Sequence, residues 1–424
     1  MQDIPTHNSS SNPQDTPHFD IIVAGGGIAG TTAAVVAAEE GRRVLLIERY
    51  SALGGMATLG LVQPMTVWGL GDQFAIAGTG KRLLDDLKAK RPAACSEVTH
   101  YGPTCDPEHL KLALDEAVQA AGVQVLYHAW IHDVEVADGE IKAVHAVTKG
   151  GTRTFSADVF IDGTGDADLA AFAGVPCDVD SQGITLMFLM AGIDRDRIPE
   201  NAGKLWAEHN DATYRGPAQF QHPSRPDCTF FNVTEVDDLS GLDPDDLSQA
   251  TIACRKQAWG ILNVARNHIP GFENAYIEQI APALGVRETR RIRGLYRLIG
   301  DDLASGAEFE DAVARGCSPI DVHGNKAKGK HAYGWLDRSY AIPYRALTTE
   351  EIRDVIVVGR PISCDHVAHS SLRRMATGFA VGEAGGVAAA LADPANRHVK
   401  ELDINRIRER LRSRGAILDR RDEA

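Results

Sequence analysis

Apolar runs and the glycines that stop them divide the start of the chain into elements. FDIIVA (Phe19 to Ala24) is apolar at every position but Asp20 and stops at Gly25, the pattern of a buried parallel strand. Ile28 to Glu40, rich in Ala and Val, reads as a helix ended by Gly41, and Arg43 to Ile47 as a second apolar strand. Val123 to Val136 alternates as a strand pair does, Asp138-Gly139 supplies a turn, and Ile141 to Val147 a further strand. Another strand leads into Thr164-Gly165-Asp166, and Val355 to Val358 runs into Gly359-Arg360.

A helix is predicted from about Arg374 onward, carrying Gly378, Gly382, Gly385, Gly386 and a run of alanines. With so few large side chains it must lie very close to another helix or to a cofactor. Asp403 to Arg414 (DINRIRERLRSR) reads as a polar helix at the end of the chain. Asp227 to Ser248, containing VDDLSGLDPDD, is acidic and turn-rich and predicts a solvated excursion. The opening MQDIPTHNSSSNPQDTP has neither a basic nor an apolar region of a secretory signal and reads as a disordered tail, residues 1–18.

Composition narrows the class. A chain of 424 residues suits two or three domains' worth of core. Lys+Arg number 44 against 58 Asp+Glu, a net charge of −14, which argues against a nucleic-acid or anionic-membrane partner. No apolar run approaches the ~18 residues that span a bilayer. The seven cysteines are scattered without a CxxC pair, so reduced thiols in a cytoplasmic protein are expected.

The chemistry begins at Gly25, Gly27 and Gly30, the three positions of GxGxxG. The first permits a tight turn, the second lets backbone approach a pyrophosphate, and the third lets helix and strand pack closely. The helix N-terminus that follows offers N–H groups and the positive end of a dipole to phosphates. Glu48 ends the second strand eighteen residues beyond Gly30, where a carboxylate can accept from both ribose hydroxyls. The pair Gly54-Gly55, followed by Met56-Ala57-Thr58, then supplies close backbone that a flavin needs and a nicotinamide does not.

Glu48-Arg49 with Gly54-Gly55 and Thr58 resembles the FAD-binding half of the glutathione-reductase-like flavoproteins. Thr164-Gly165-Asp166 is similar to the segment with which such proteins return to the adenosine end of FAD. The terminal block GRPISCDHVAHSSLRRMATGFAVGEAGGVAAA and the stretch GVRETRRIRG (Gly285 to Gly294) extend the likeness to a broad family of FAD-dependent oxidoreductases. The resemblance touches residues 19–60, 155–175, 285–295 and 335–392; Gln182 to Leu284 has no part in it.

This resemblance implies an α/β fold: a three-layer Rossmann-type FAD domain, with a parallel sheet and β-meander, and an inserted α+β substrate domain. The expected bounds are 19–180 with 335–400 for the FAD domain, 181–334 for the substrate domain and 401–424 for a C-terminal helix and tail. It implies FAD contacts from Gly25, Gly27, Ala29 and Gly30, from Glu48 and Arg49, and from Gly55, Met56, Ala57 and Thr58. Ile131, Gly165, Asp166, Gly359 and Arg360 are expected to continue the site. Ala376 and Thr377, at the N-terminus of the glycine-rich helix, would stabilise negative charge on the flavin. No side chain identifies itself as a tether, so the FAD is expected to be non-covalent.

The place where disulfide reductases carry CxxxxC holds TLGLVQP, and no second GxGxxG follows a strand. The expected activity is therefore that of a dehydrogenase or oxidase. A hydride passes from a small organic substrate to flavin N5, and electrons go on to oxygen, a quinone or another diffusible acceptor. The alternatives are a C=C reductase, a non-redox lyase, isomerase or hydratase, and a binding subunit using FAD structurally. Such chemistry needs a base, for which His366 and His369 stand in the loop before the flavin-facing helix. A substrate-holding cation would be Arg287 or Arg291; equally, Glu288 could pair with an arginine to lock an interdomain joint. Cys364, Asp365, His366 and His369 are spaced as a chance cluster would be, and no metal is expected. Tyr296, Trp335 and Tyr340 read as core or wall.

Overall fold

A computed structural model describes residues 16–209, 219–324, 332–395 and 397–423; residues 1–15 of the expected tail lie outside the described residues. The chain opens with β1 (His18–Ala24), α1 (Ile28–Glu39) and β2 (Val44–Ile47). A hairpin of β3 (Gly69–Leu70) and β4 (Gln73–Phe74) precedes α2 (Thr79–Lys90), α3 (Pro107–Ala121) and β5 (Gln124–Leu126). Next come β6 (Trp130–Ala137), β7 (Glu140–Thr148), β8 (Gly151–Asp162), α4 (Asp168–Phe172) and β9 (Cys177–Val179). The middle of the chain forms β10 (Phe188–Ala191), α5 (Ala202–His209), β11 (Gln219–Gln221), β12 (Thr229–Phe231), α6 (Pro244–His268) and β13 (Tyr276–Ile280). After β14 (Arg290–Ile292) follow α7 (Gly300–Ser305), β15 (Ala312–Gly316), β16 (Ile320–Val322), β17 (Ala332–Gly334) and β18 (Tyr340–Pro343). The last elements are β19 (Val355–Val357), α8 (His366–Leu372), α9 (Met375–Leu391) and α10 (Ile404–Ser413).

The main sheet runs β5-β2-β1-β8-β7-β6, with β19 alongside β8. β1 lies parallel to β2 and β8, β5 parallel to β2, and β19 parallel to β8. Alternation along β1 explains the layers. Ile21 and Val23 face a core shared with α1 and α9, whereas Ile22 and Ala24 face one shared with α4 and the meander strands. The meander β6-β7-β8 is antiparallel, and its first turn places Asp138 and Gly139 at φ 55° and 72°, as a tight two-residue hairpin turn requires. The expected α/β architecture is the observed one.

The glycine stripe of α9 mostly serves another helix. A Cβ at Gly382 would run into the backbone of Ala29, and one at Gly386 would lie 2.6 Å from the Ala33 carbonyl, so α1 and α9 touch nearly backbone to backbone. Glu383, buried in α9, accepts from the Thr79 N–H and hydroxyl that open α2 and from Arg414. Through Arg414, also paired with Glu39 and Glu40, α10 is tied to α1 as well.

The inserted part carries a four-stranded antiparallel sheet, β11-β12-β10-β13, backed by α6. Here two sequence expectations are corrected. Asp227 to Ser248 is solvated only in its second half: Val236 to Ser248 is exposed or half-buried, but Phe230, Phe231, Val233, Thr234 and Glu235 are buried, because their backbone forms β12 and the turn beside it. And Leu298, Leu303, Val313 and Ala314, numbered within the insertion, pack in the core of α1 and α9.

Cys95 and Cys105 form a disulfide, against the expectation of reduced thiols throughout. The loop between them closes as a narrow antiparallel bridge, with the Ser96 N–H donating to Thr104 O at 2.9 Å, and sets the two Cα atoms 4.1 Å apart. The other five cysteines are free. No helix of the described residues is long and apolar enough to cross a membrane.

Candidate active site

The carboxyl ends of β1, β2, β8 and β19 surround a cleft with about 1100 Å³ of open space. In open α/β sheets this is where ligands bind. Gly25, Gly27, Ala29, Glu48, Arg49, Gly55, Met56, Ile131, Gly165, Gly359 and Arg360 all line it, so eleven of the residues expected to touch a cofactor share one wall.

The glycine turn after β1 has the geometry its glycines predict. Gly25 is at φ +89°, and a Cβ there would lie 2.6 Å from the Gly163 carbonyl. Gly27 caps α1 with no side-chain hydrogen bond, and nothing lies within 4 Å of where its Cβ would project. An uncapped helix start beside open space accommodates a pyrophosphate. Gly30 does not line the cleft; a Cβ there would run into the Gly25 carbonyl, so it serves helix–strand packing.

Glu48 is buried, with Oε2 accepting from the Gly26 N–H at 2.6 Å and Oε1 from the Tyr50 N–H at 2.8 Å. Beside it the Arg49 guanidinium lies over two rings, 4.9 Å from Tyr50 and 5.0 Å from Trp130, forming a flat, partly exposed stack suited to a base. Asp166 stands behind the wall. Its carboxylate accepts from Arg360 at 2.7 Å and Thr289 at 2.9 Å and lies 3.9 Å from Arg49. Burial, then the charge of Asp166, pushes the neighbouring Asp168 carboxyl up. Burial likewise pushes Asp162 up to about 6, although it accepts from Ala170 and Thr164.

At the other end Gly54 and Gly55, at φ 95° and 50°, carry the chain across the cleft floor, and Gly54 N–H donates to Gly26 O at 2.8 Å. Ala57 and Thr58 lie buried beneath, the Thr58 hydroxyl donating to Leu53 O at 2.6 Å. Opposite them stand Arg373, Arg374, Met375 and Gly378. Ala376 and Thr377 are buried in the first turn of α9 and do not line the cleft; the helix start has no side-chain cap.

The five residues expected to carry the chemistry are not on the cleft wall. His366 and His369 belong to the short helix α8, not a loop, because Asp365 caps it by accepting from Ala368 N–H at 2.7 Å. His369 is buried, and burial, then the charges of Arg291, Arg373 and Arg360, holds it well below the usual imidazole range. Glu288 is buried between Gln182, whose Nε2 donates to it at 2.8 Å, His366 Nδ1 at 2.8 Å, and Arg291. Arg291 also pairs with Asp180 at 2.7 Å and donates to Cys364 O at 3.0 Å. Asp180, Glu288 and His366 converge as metal ligands can, but the Arg291 cation already pairs with both carboxylates. Arg287 donates to Gly183 O and faces Glu235 at 3.4 Å. The two arginines thus reach different partners and lock the joint between the two halves.

A polar chain missed in the sequence adjoins the cleft. Arg374 pairs with Asp321, and Arg373 donates to Asp321 O at 2.9 Å. Asp321 faces His323 Nε2 at 2.9 Å, and His323 Nδ1 faces Glu235 at 3.3 Å. Burial pushes the Asp321 carboxyl up, but the His323 hydrogen bond and the charges of Arg374, His323 and Arg373 outweigh it and hold the group well below the usual carboxylate range. Only the spacing of Asp321 and His323, two apart at the end of β16, hints at this from sequence.

Among solved structures, a geranylgeranyl bacteriochlorophyll reductase-like protein from Thermoplasma acidophilum superposes with a TM-score of 0.51 at 14% identity, covering 94% of this chain and 84% of that one. A flavin-dependent brominase gives 0.48 at 14% identity (93% and 83% covered). A p-nitrophenol 4-monooxygenase from Pseudomonas putida DLL-E4 gives 0.46 at 10% identity (94% and 85% covered). At such identities the likeness concerns the fold. No curated protein matches the sequence. Residues 20–411, spanning the cleft and everything that shapes it, match the family described as FAD dependent oxidoreductase; the chain belongs to that family and takes FAD as its cofactor.

Proposed function

We propose that the enzyme is a dehydrogenase or oxidase that removes a hydride from a small polar organic substrate and passes electrons to a diffusible acceptor. FAD, when bound, supplies the two-electron acceptor. The chain's residues then have separable tasks. Glu48 accepts from ribose hydroxyls, the uncapped start of α1 takes the phosphates, and the uncapped start of α9 offers its dipole to the flavin end.

The observation that carries this reading is the position of Arg374. It lines the cleft between Met56 and the α9 N-terminus and is braced from behind by Asp321. A cation held this way orients a polar substrate group, and Asp321 and His323 act as positioning residues. Arg287, Glu288 and Arg291 are assigned to the joint, and His369 to packing behind it.

The test is anaerobic mixing of the FAD-loaded protein with a panel of alcohols, amines and hydroxy acids. Bleaching of the oxidised flavin band supports the reading. A product formed without bleaching supports a non-redox role and contradicts it.

A further inference from the structure

Three large aromatic side chains stand exposed beside the Arg374–Asp321 pair: Tyr101 at 50%, Tyr333 at 55% and Trp335 at 53%. Single exposed rings are ordinary on a protein surface, but three beside a braced cation are not scattered singly. Their placement follows from the backbone. Tyr333 on β17 is directly opposite Asp321 on β16, and paired residues of an antiparallel ladder project to the same face. Tyr333 therefore shares the face from which Asp321 reaches Arg374. Trp335, two residues on, meets it edge to face with centroids 6.3 Å apart. Tyr101 follows His100, whose carbonyl accepts from the Trp68 N–H.

Burial raises the Tyr333 phenol, and the Asp321, Arg374 and Tyr101 charges act on it too, so these groups are close electrostatic neighbours. The other half of the observation is the guanidinium. Arg374 spends one NH2 group on Asp321, while its Nε is shielded from solvent and has no hydrogen-bond partner among the described residues. The Arg374 side chain nevertheless keeps 26% of its surface exposed and lines the cleft, so the donors not spent on Asp321 can meet a ligand's acceptor.

Resting on the oxidoreductase reading above, we infer that the substrate is an aromatic carboxylate. Its carboxylate accepts from Arg374, and its ring lies against Tyr333 and Trp335. A carboxylate matches the planar guanidinium fork, and a flat ring matches a wall that offers aromatic faces and edges. Neither feature alone selects this class; together they specify charge and planarity within one molecule.

The probe is phenylacetate, with cyclohexylacetate as the saturated control of equal charge and phenylacetamide as the uncharged aromatic control. Binding to FAD-loaded protein is read from the shift of the flavin absorption band and from quenching of tryptophan fluorescence. Phenylacetate is expected to bind roughly tenfold or more tightly than either control. Arg374→Gln should weaken phenylacetate roughly 10- to 100-fold while FAD content is kept. Tyr333→Ala and Trp335→Ala should lower phenylacetate affinity and leave cyclohexylacetate little changed. Equal binding of phenylacetate and cyclohexylacetate overturns the proposal, as does loss of FAD from the Arg374→Gln protein, which would assign that arginine to the cofactor. A substrate that bleaches the flavin while phenylacetate fails to bind overturns this inference and leaves the oxidoreductase reading standing; phenylacetate bound with every substrate failing to bleach does the reverse.

Discussion

The backbone N–H of Gly26 donates to Glu48 Oε2 at 2.6 Å, joining the glycine turn to the carboxylate proposed to hold the ribose across 22 residues of sequence. The bond fixes the distance between the two ends of the nucleotide site before any cofactor arrives. It also holds the Glu48 side chain in place at the edge of the cleft, where a mobile glutamate would lose rotamer freedom on binding.

Replacing that carboxylate should therefore affect FAD more than the fold. Glu48→Ala is expected to weaken FAD by roughly 1–3 kcal/mol, the usual cost of removing one partner of a charged hydrogen bond. Titrating apoprotein with FAD measures it; an unchanged dissociation constant would show that Glu48 does not reach the ribose.

Gly27 and Gly30 should respond differently to the same substitution. A methyl at Gly27 meets only the open cleft, so Gly27→Ala should lower FAD affinity while the apoprotein melts as before. At Gly30 the methyl runs into the Gly25 carbonyl, so Gly30→Ala should lower the melting temperature itself. Equal effects on melting would refute the division of roles.

Asp354 should contribute a loss of stability as pH rises from about 4 to 7. Burial pushes this carboxyl up to about 7 from 3.8, although both its oxygens lie 3.1 Å from the Ile141 N–H. Its folded pKa lies above its unfolded one, so folding takes up a proton in this window. The stabilisation is complete below the unfolded pKa and is lost as pH climbs to the folded one. Asp354→Asn should flatten that decline and stabilise the protein at pH 8 by an amount on the order of 2–4 kcal/mol. Denaturant titrations of both proteins at pH 4, 6 and 8 would reveal a slope that the substitution leaves intact, if this assignment is wrong.

Arg291→Ala should destabilise the protein by about 3–5 kcal/mol, because it strands the buried Glu288 without its guanidinium. The companion substitution His369→Ala should act on stability too, with flavin reduction by a working substrate largely unaltered. Stopped-flow reduction slowed by 10²-fold or more in a well-folded His369→Ala protein would return the histidine to the chemistry.

What the sequence revealed and what it hid have one physical cause. Gly25, Gly27, Gly30 and Glu48 lie within a single β-α-β unit, so spacing alone brings them to one turn and one strand end. Arg374 and Asp321 stand 53 residues apart and meet only because β16 is folded against α8 and the start of α9. No local period announces such a contact. The α9 glycines were legible as close packing but not as packing on α1, since the helix pattern names no partner. Acidic composition described Val236 to Ser248 correctly but misled just before it, where two adjacent phenylalanines, Phe230 and Phe231, decide burial. The Cys95–Cys105 bond depends on the closure of a loop that spacing does not show.

The most direct measurement of the central claim is the absorption spectrum of the purified protein before and after acid precipitation. The protein should be yellow, with an oxidised flavin band. After precipitation the colour should stay in the supernatant as FAD, in about one equivalent per chain. A colourless protein that takes up no FAD would contradict the reading of the cleft. FMN in place of FAD would contradict the adenosine-binding role of Glu48, and colour retained in the pellet would contradict non-covalent binding.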